Sequence, residues 1–93
     1  PLLRQAHRLA LAAAERGDDL AARVARAAER LALRAPALPE RERAVCARIA
    51  CGLTADGIAA DLGIAPSTVV TLRKRAYARL GLHDRLALAR LAG

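Results

Sequence analysis

The chain is 93 residues long and carries 16 basic against 9 acidic side chains, a formal net charge of +7 at neutral pH. That length allows one small domain and excludes a large enzyme with a deep substrate pocket, and the charge asks for a polyanionic partner. Hydrophobic residues make up 55% of the chain, supplied mostly by 25 alanines and 16 leucines, with one Tyr and no Phe, Trp or Met, so the composition favours helices over strands. A core of Leu, Val and Ile is thin at this length, and a neighbouring domain or subunit is expected to share it. Pro1 opens a chain without any Met, which fits an excised part of a longer protein.

Helix formers fill almost every position from Pro1 to Arg16, and Gly17, Asp18 and Asp19 then give a stop and a new N-cap. The second helix runs to about Arg34 with an apolar stripe of Leu20, Val24, Ala27 and Leu31. Ala35-Pro36-Ala37-Leu38-Pro39 breaks the periodicity and marks a linker, dividing the chain into residues 1–35 and residues 36–93. The first part is expected to be a helical hairpin or connector. Downstream, Glu40 to Cys51 is amphipathic, with Val45 and Ile49 inward and Glu40 and Glu42 at the positive end of the dipole. Thr54 caps a short helix, roughly Ala55 to Leu62, ended by Gly63. Ile64-Ala65-Pro66-Ser67 forms a tight turn before a longer helix from Ser67 or Thr68 to Leu80, capped by Ser67 and closed by Gly81. Asp84 caps a last helix reaching Leu91. The fold class is therefore all-α, and the middle pair of helices with its four-residue turn has helix-turn-helix spacing.

No run of about 18 uncharged apolar residues occurs, so no membrane span is expected. There is no signal peptide either, and a cytoplasmic setting is the expectation. Cys46 and Cys51 point apart on a helix, and His7 and His83 are isolated, so both thiols are expected to be packing residues and no metal site is expected. Fifteen of the 16 basic residues are Arg and Asn is absent, a bias of GC-rich bacterial genomes. No catalytic residue is expected: the sole serine, Ser67, has no His or acid nearby in sequence to activate it, and no cofactor or small-molecule ligand is called for.

Around the long helix, Val69, Leu72, Ala76 and Leu80 form one stripe, which must face the other helices. Val70, Thr71, Lys74 and Ala78 lie opposite, with Arg73, Arg75 and Arg79 on the flanks. Thr71 to Arg79 thus holds four positive charges and no acid. Small side chains leave this helix slim enough for a major groove, with Lys74 central and arginines at the height of the phosphates.

The stretches Leu38-Pro39-Glu40-Arg41-Glu42-Arg43-Ala44-Val45, Ala50-Cys51-Gly52-Leu53-Thr54, Gly57-Ile58-Ala59, Leu62-Gly63-Ile64, Ser67-Thr68-Val69 and Arg79-Leu80-Gly81-Leu82 together resemble the LuxR/GerE-type DNA-binding domain. The resemblance covers residues 38 to 92 and implies a four-helix domain whose recognition helix is Ser67 to Leu80. It implies Val70, Thr71 and Lys74 as base-facing residues of a sequence-specific transcription regulator on double-stranded DNA. Thr54, Ser67, Thr68, Arg73, Arg75 and Arg79 are the matching phosphate candidates. Members act as dimers, often through the last helix, so Leu86, Leu88 and Leu91 are interface candidates, with Leu20, Val24 and Leu31 of the connector as the other face. RNA polymerase is a further partner such regulators engage, and the upstream segment resembles the tail of a sensory or phosphorylated domain, as in response regulators.

Members commonly have Ser or Thr in place of Pro39, Glu in place of Gly57, a basic residue in place of Val70 and His in place of Leu72. Val70 moves one base-facing position from hydrogen bonding to apolar contact, so the DNA site cannot be copied from relatives. Region 4 of a sigma factor shares the opening Leu-Pro-Glu-Arg-Glu and the Gly-Leu-Thr pattern and is the nearest alternative. The Gly81-Leu82-His83 ending and the extra capped helix argue against it. A basic helical module for protein or membrane surfaces is the other alternative, and it lacks an aromatic anchor.

Overall fold

The computed structural model describes residues 19–93, and the regular structure among them is entirely helical. The helix expected over Pro1 to Arg16 and the turn at Gly17 and Asp18 lie outside the described residues. Residues 19–34 are helical (α1), followed by α2 (Glu40–Ala50), α3 (Ala55–Leu62), α4 (Pro66–Leu80) and α5 (Arg85–Ala92). These elements fall where the apolar spacing puts them, with shifts of one or two residues at the ends.

Helix α2 is the central pillar and packs against α3, α4 and α5, while α3 packs on α4. The reason lies in its sequence: Val45, Cys46, Ala47 and Ile49 present apolar surface on several sides, and all four are buried. Leu31, Ile58, Val69, Ala76 and Leu88 close the core around them. Each fully buried Leu, Ile or Val stabilises by about 1.5–3 kcal/mol, which is how a domain without large aromatics holds together.

The described part of α1 belongs to that same core. Ala27 and Leu31 are buried within it, and Val24 and Ala28 pack against it. Arg34 then donates from Nη1 to the carbonyl oxygens of Leu91, at 2.7 Å, and Gly93, at 2.8 Å, meeting the orphan carbonyls at the end of α5. The expected linker is a tight turn, since Ala35 donates to Leu31 O at 2.8 Å, Leu38 donates to Ala35 O at 3.0 Å, and the Leu38 side chain is buried.

Two junctions set the angle of α4. Gly63, with φ +67°, adopts the left-handed conformation that ends α3 and turns the chain within three residues. Pro66 then occupies the first position of α4, where its missing N–H costs nothing and its ring presets a helical φ. For that reason α4 begins one residue before the expected start and Ala65, not Ser67, is its N-cap; no side chain caps this end.

Candidate nucleic-acid interface

Helices α3 and α4 with the turn Gly63 to Ala65 form the helix-turn-helix unit, and α4 shows two unlike faces. Val69 and Ala76 are buried, with Leu72 and Leu80 partly so, which is the expected inward stripe. On the other side Ser67, Thr71, Lys74, Arg75 and Ala78 are exposed and Val70 is half-buried. The three expected base-facing residues, Val70, Thr71 and Lys74, therefore share one accessible surface. The Thr71 hydroxyl donates to the carbonyl of Ser67 at 3.1 Å, a bond back to the preceding turn.

The remaining expected contacts divide. Thr54 is exposed and its Oγ1 accepts from the amide of Gly57 at 3.1 Å, so it caps α3 while its hydroxyl hydrogen stays available to an anion. A Cβ at Gly57 would stand 3.2 Å from Thr54 Oγ1, a contact that a small shift of the Thr54 side chain relieves. Ser67 and Thr68 sit in the first turn of α4, where no side chain caps; the amides of Thr68 and Val69 donate to Ala65 O at 3.0 and 3.2 Å, which leaves the Ser67 amide. Arg73 is partly exposed and Arg75 fully so.

Arg79 has a partner inside the chain. Its Nε points to both carboxylate oxygens of Glu42, at 3.1 and 3.2 Å, and Glu42 is 3% exposed. A carboxylate taken out of water needs such a partner, so the Nε edge of Arg79 acts as an internal strut between α4 and α2, while the side chain stays 54% exposed with its Nη groups outside that pair. No pattern along α4 announces this pair, because its acid lies 37 residues upstream.

The dimer candidates divide in the same way. Leu88 and Leu31 are fully buried in their own chain and are not available to a partner. Leu91 and Val24 are partly buried against the core, whereas Leu86 of α5 is 60% exposed and Leu20 38%. Leu33, which the stripe analysis passed over, is more open still.

Sequence reasoning also missed a basic hollow beside α4. Arg73, Lys74, Tyr77, His83 and Arg85 line it, between the second half of α4 and the start of α5. Arg73, Tyr77 and Arg85 extend the same rim to Leu53 and Thr54 at the entry to α3. One signal was present: Arg85 directly follows the N-cap Asp84, whose carboxylate accepts from Ala87 N at 2.8 Å, and a cation in a first turn opposes the helix dipole. Burial pushes the Tyr77 phenol above its ordinary value.

Thiols and carboxylates elsewhere are structural. Cys46 is fully buried and Cys51 partly so, and both are free. Arg48 pairs with Asp61 and ties α2 to α3. Among the described residues no group of three or more His, Cys, Asp or Glu is placed to hold a metal ion, and no helix is long and apolar enough to cross a membrane.

A slim, basic helix set at the second position of a helix-turn-helix agrees with comparison to known proteins. The family described as "Bacterial regulatory proteins, luxR family" matches residues 36–92. The chain belongs to this family. The match runs through α2 to α5, including the last helix that distinguishes the LuxR-type ending from sigma-factor region 4. Two curated relatives, both described as "Probable transcriptional regulatory protein NarL", come from Mycobacterium tuberculosis strains CDC 1551 / Oshkosh and ATCC 25618 / H37Rv. Each is 52% identical over 59 residues, which is 63% of this chain and 27% of the relative. The chain thus matches about a quarter of the length of those regulators. No solved structure matches it. As a LuxR-family helix-turn-helix domain, this LuxR-type chain is a DNA-binding module of transcription regulation.

Proposed function

We propose that the chain binds double-stranded DNA sequence-specifically with α4 in the major groove, as a homodimer within a bacterial cytoplasmic regulator. The observation that carries this is the outward face of α4: Val70, Thr71 and Lys74 are accessible together, and no acid lies among them. Small side chains admit the helix to the groove, and Lys74 reaches base edges from its centre. Thr54, Arg73, Arg75 and Arg85, with the uncapped first turn at Ser67 and Thr68, hold the flanking phosphates. We read residues 36–93 as the DNA-binding unit and residues 1–35 as a connector whose described part packs into the same core. The exposed Leu86 on α5 supports a two-fold contact through that helix.

Titrating Lys74→Ala and Arg75→Ala against the preferred site and against random DNA tests the assignment. Lys74→Ala is expected to lose more affinity on the preferred site than on random DNA, and Arg75→Ala to lose equally on both. Equal losses for Lys74→Ala would remove it from the base-reading set.

A further inference from the structure

We infer that this protein selects its DNA site chiefly through thymine 5-methyl groups, touched by Val70 and by the γ-methyl of Thr71, with Lys74 as the hydrogen-bond donor that completes the contact. The inference rests on the placement of α4 in the major groove and adds what that helix selects.

Three observations carry it. Val70 is accessible although it is apolar, because its neighbour Val69 fills the core position at 1% exposure. Thr71 is exposed, but its single hydroxyl hydrogen is committed to the Ser67 carbonyl at 3.1 Å. It therefore offers a methyl group and an acceptor, and no donor. Beyond them on the same face come Lys74 and then Ala78, which again presents only a methyl group. Guanine N7 and O6, adenine N7 and thymine O4 need a donor, which neither Val70 nor Thr71 supplies; Val70 also has no acceptor for adenine N6 or cytosine N4, whereas the Thr71 oxygen can accept beside its methyl contact. The one apolar feature on a base edge in the major groove is the thymine 5-methyl group. Val70 and Thr71 stand about 100° apart around the helix, and Lys74 follows one turn beyond them. A half-site with thymines beside a guanine matches this order: methyl, methyl, then a cation on guanine O6 and N7.

The test uses the 93-residue chain and the site it enriches from a random duplex pool. Each thymine of the site is replaced in turn by deoxyuridine, which deletes only the methyl group. At one or two positions per half-site, binding is expected to weaken about fourfold, the fold-change equivalent to about 0.8 kcal/mol per methyl. Val70→Ala should lose most of that sensitivity at one position and keep it at the other. Ala raises helix propensity at this half-buried position, and urea unfolding of the variant confirms its fold before binding is read. Specific binding that tolerates deoxyuridine everywhere, or an enriched site without thymine at the contacted steps, overturns the inference and leaves the groove placement standing. Binding with no enriched sequence overturns the groove placement as well.

Discussion

The buried carboxylate of Glu42, in the first turn of α2, faces Nε of Arg79 in the last turn of α4, at 3.1 and 3.2 Å. This pair fixes the far end of the DNA-facing helix to the central pillar, while Gly63 and Pro66 fix its near end. The direction of α4 is thus set at both ends by contacts within the chain.

Removing the cation leaves a desolvated carboxylate, so Arg79→Ala is expected to lower stability by about 1–3 kcal/mol, discounted for the open side of the guanidinium. Urea unfolding measures this directly. The salt dependence of DNA binding should not change, because no phosphate contact is lost. A smaller salt slope at unchanged stability would return Arg79 to the phosphate set.

Leu31 lies in the connector yet is fully buried beside Leu88 in one core. Leu31→Ala should therefore destabilise the domain by about 2–5 kcal/mol, as an ordinary core truncation does. Charged substitutions at Leu88 are expected to unfold the chain rather than separate a dimer. Leu86→Lys is the informative change: stability within about 0.5 kcal/mol of the parent and weaker self-association by sedimentation. An unchanged sedimentation profile places any dimer contact away from Leu86.

Arg85 enters the DNA-facing surface through the basic hollow it shares with Arg73 and His83. Arg85→Ala should weaken binding to preferred and random DNA alike and reduce the salt slope by about 0.9. With about five phosphates neutralised per protomer, the parent slope of log K against log salt is expected near −4 to −5. A slope unaffected by Arg85→Ala would confine Arg85 to the protein surface.

Burial, with the Glu42 carboxylate adding to it, raises the Cys46 thiol from its ordinary 9.0 to about 11. Between those values the unfolded chain has released its thiol proton and the folded chain retains it. Stability from this group is therefore complete below pH 9 and falls as pH rises toward 11. Alkylation at pH 8 should label the partly exposed Cys51 first and reach Cys46 only on unfolding. Equal labelling rates in the folded chain would contradict the burial.

Much of this was legible in the sequence because it is local. Apolar spacing gave α3 its bounds at Ala55 and Leu62, and Thr54 and Asp84 cap where short-range chemistry puts them. The inward stripe of α4 and the accessible trio Val70, Thr71 and Lys74 follow from helical periodicity alone. What escaped is non-local. Arg79 is claimed by Glu42 37 residues away, and Arg34 reaches carbonyls 57 and 59 residues on. Leu31 and Leu88 looked like interface residues because a stripe alone does not say which surface covers it. Arg85 and His83 join Arg73 only after Gly81 and Leu82 turn the chain back alongside α4.

The most direct test of α4 as a sequence-reading helix is selection of bound duplexes from a random pool, with the parent chain and Lys74→Ala side by side at two salt concentrations. A two-fold symmetric site enriched by the parent, blurred at one position per half-site by Lys74→Ala and retained at both salts, is the predicted result. Tight binding with no enriched sequence, lost uniformly as salt rises, would contradict it.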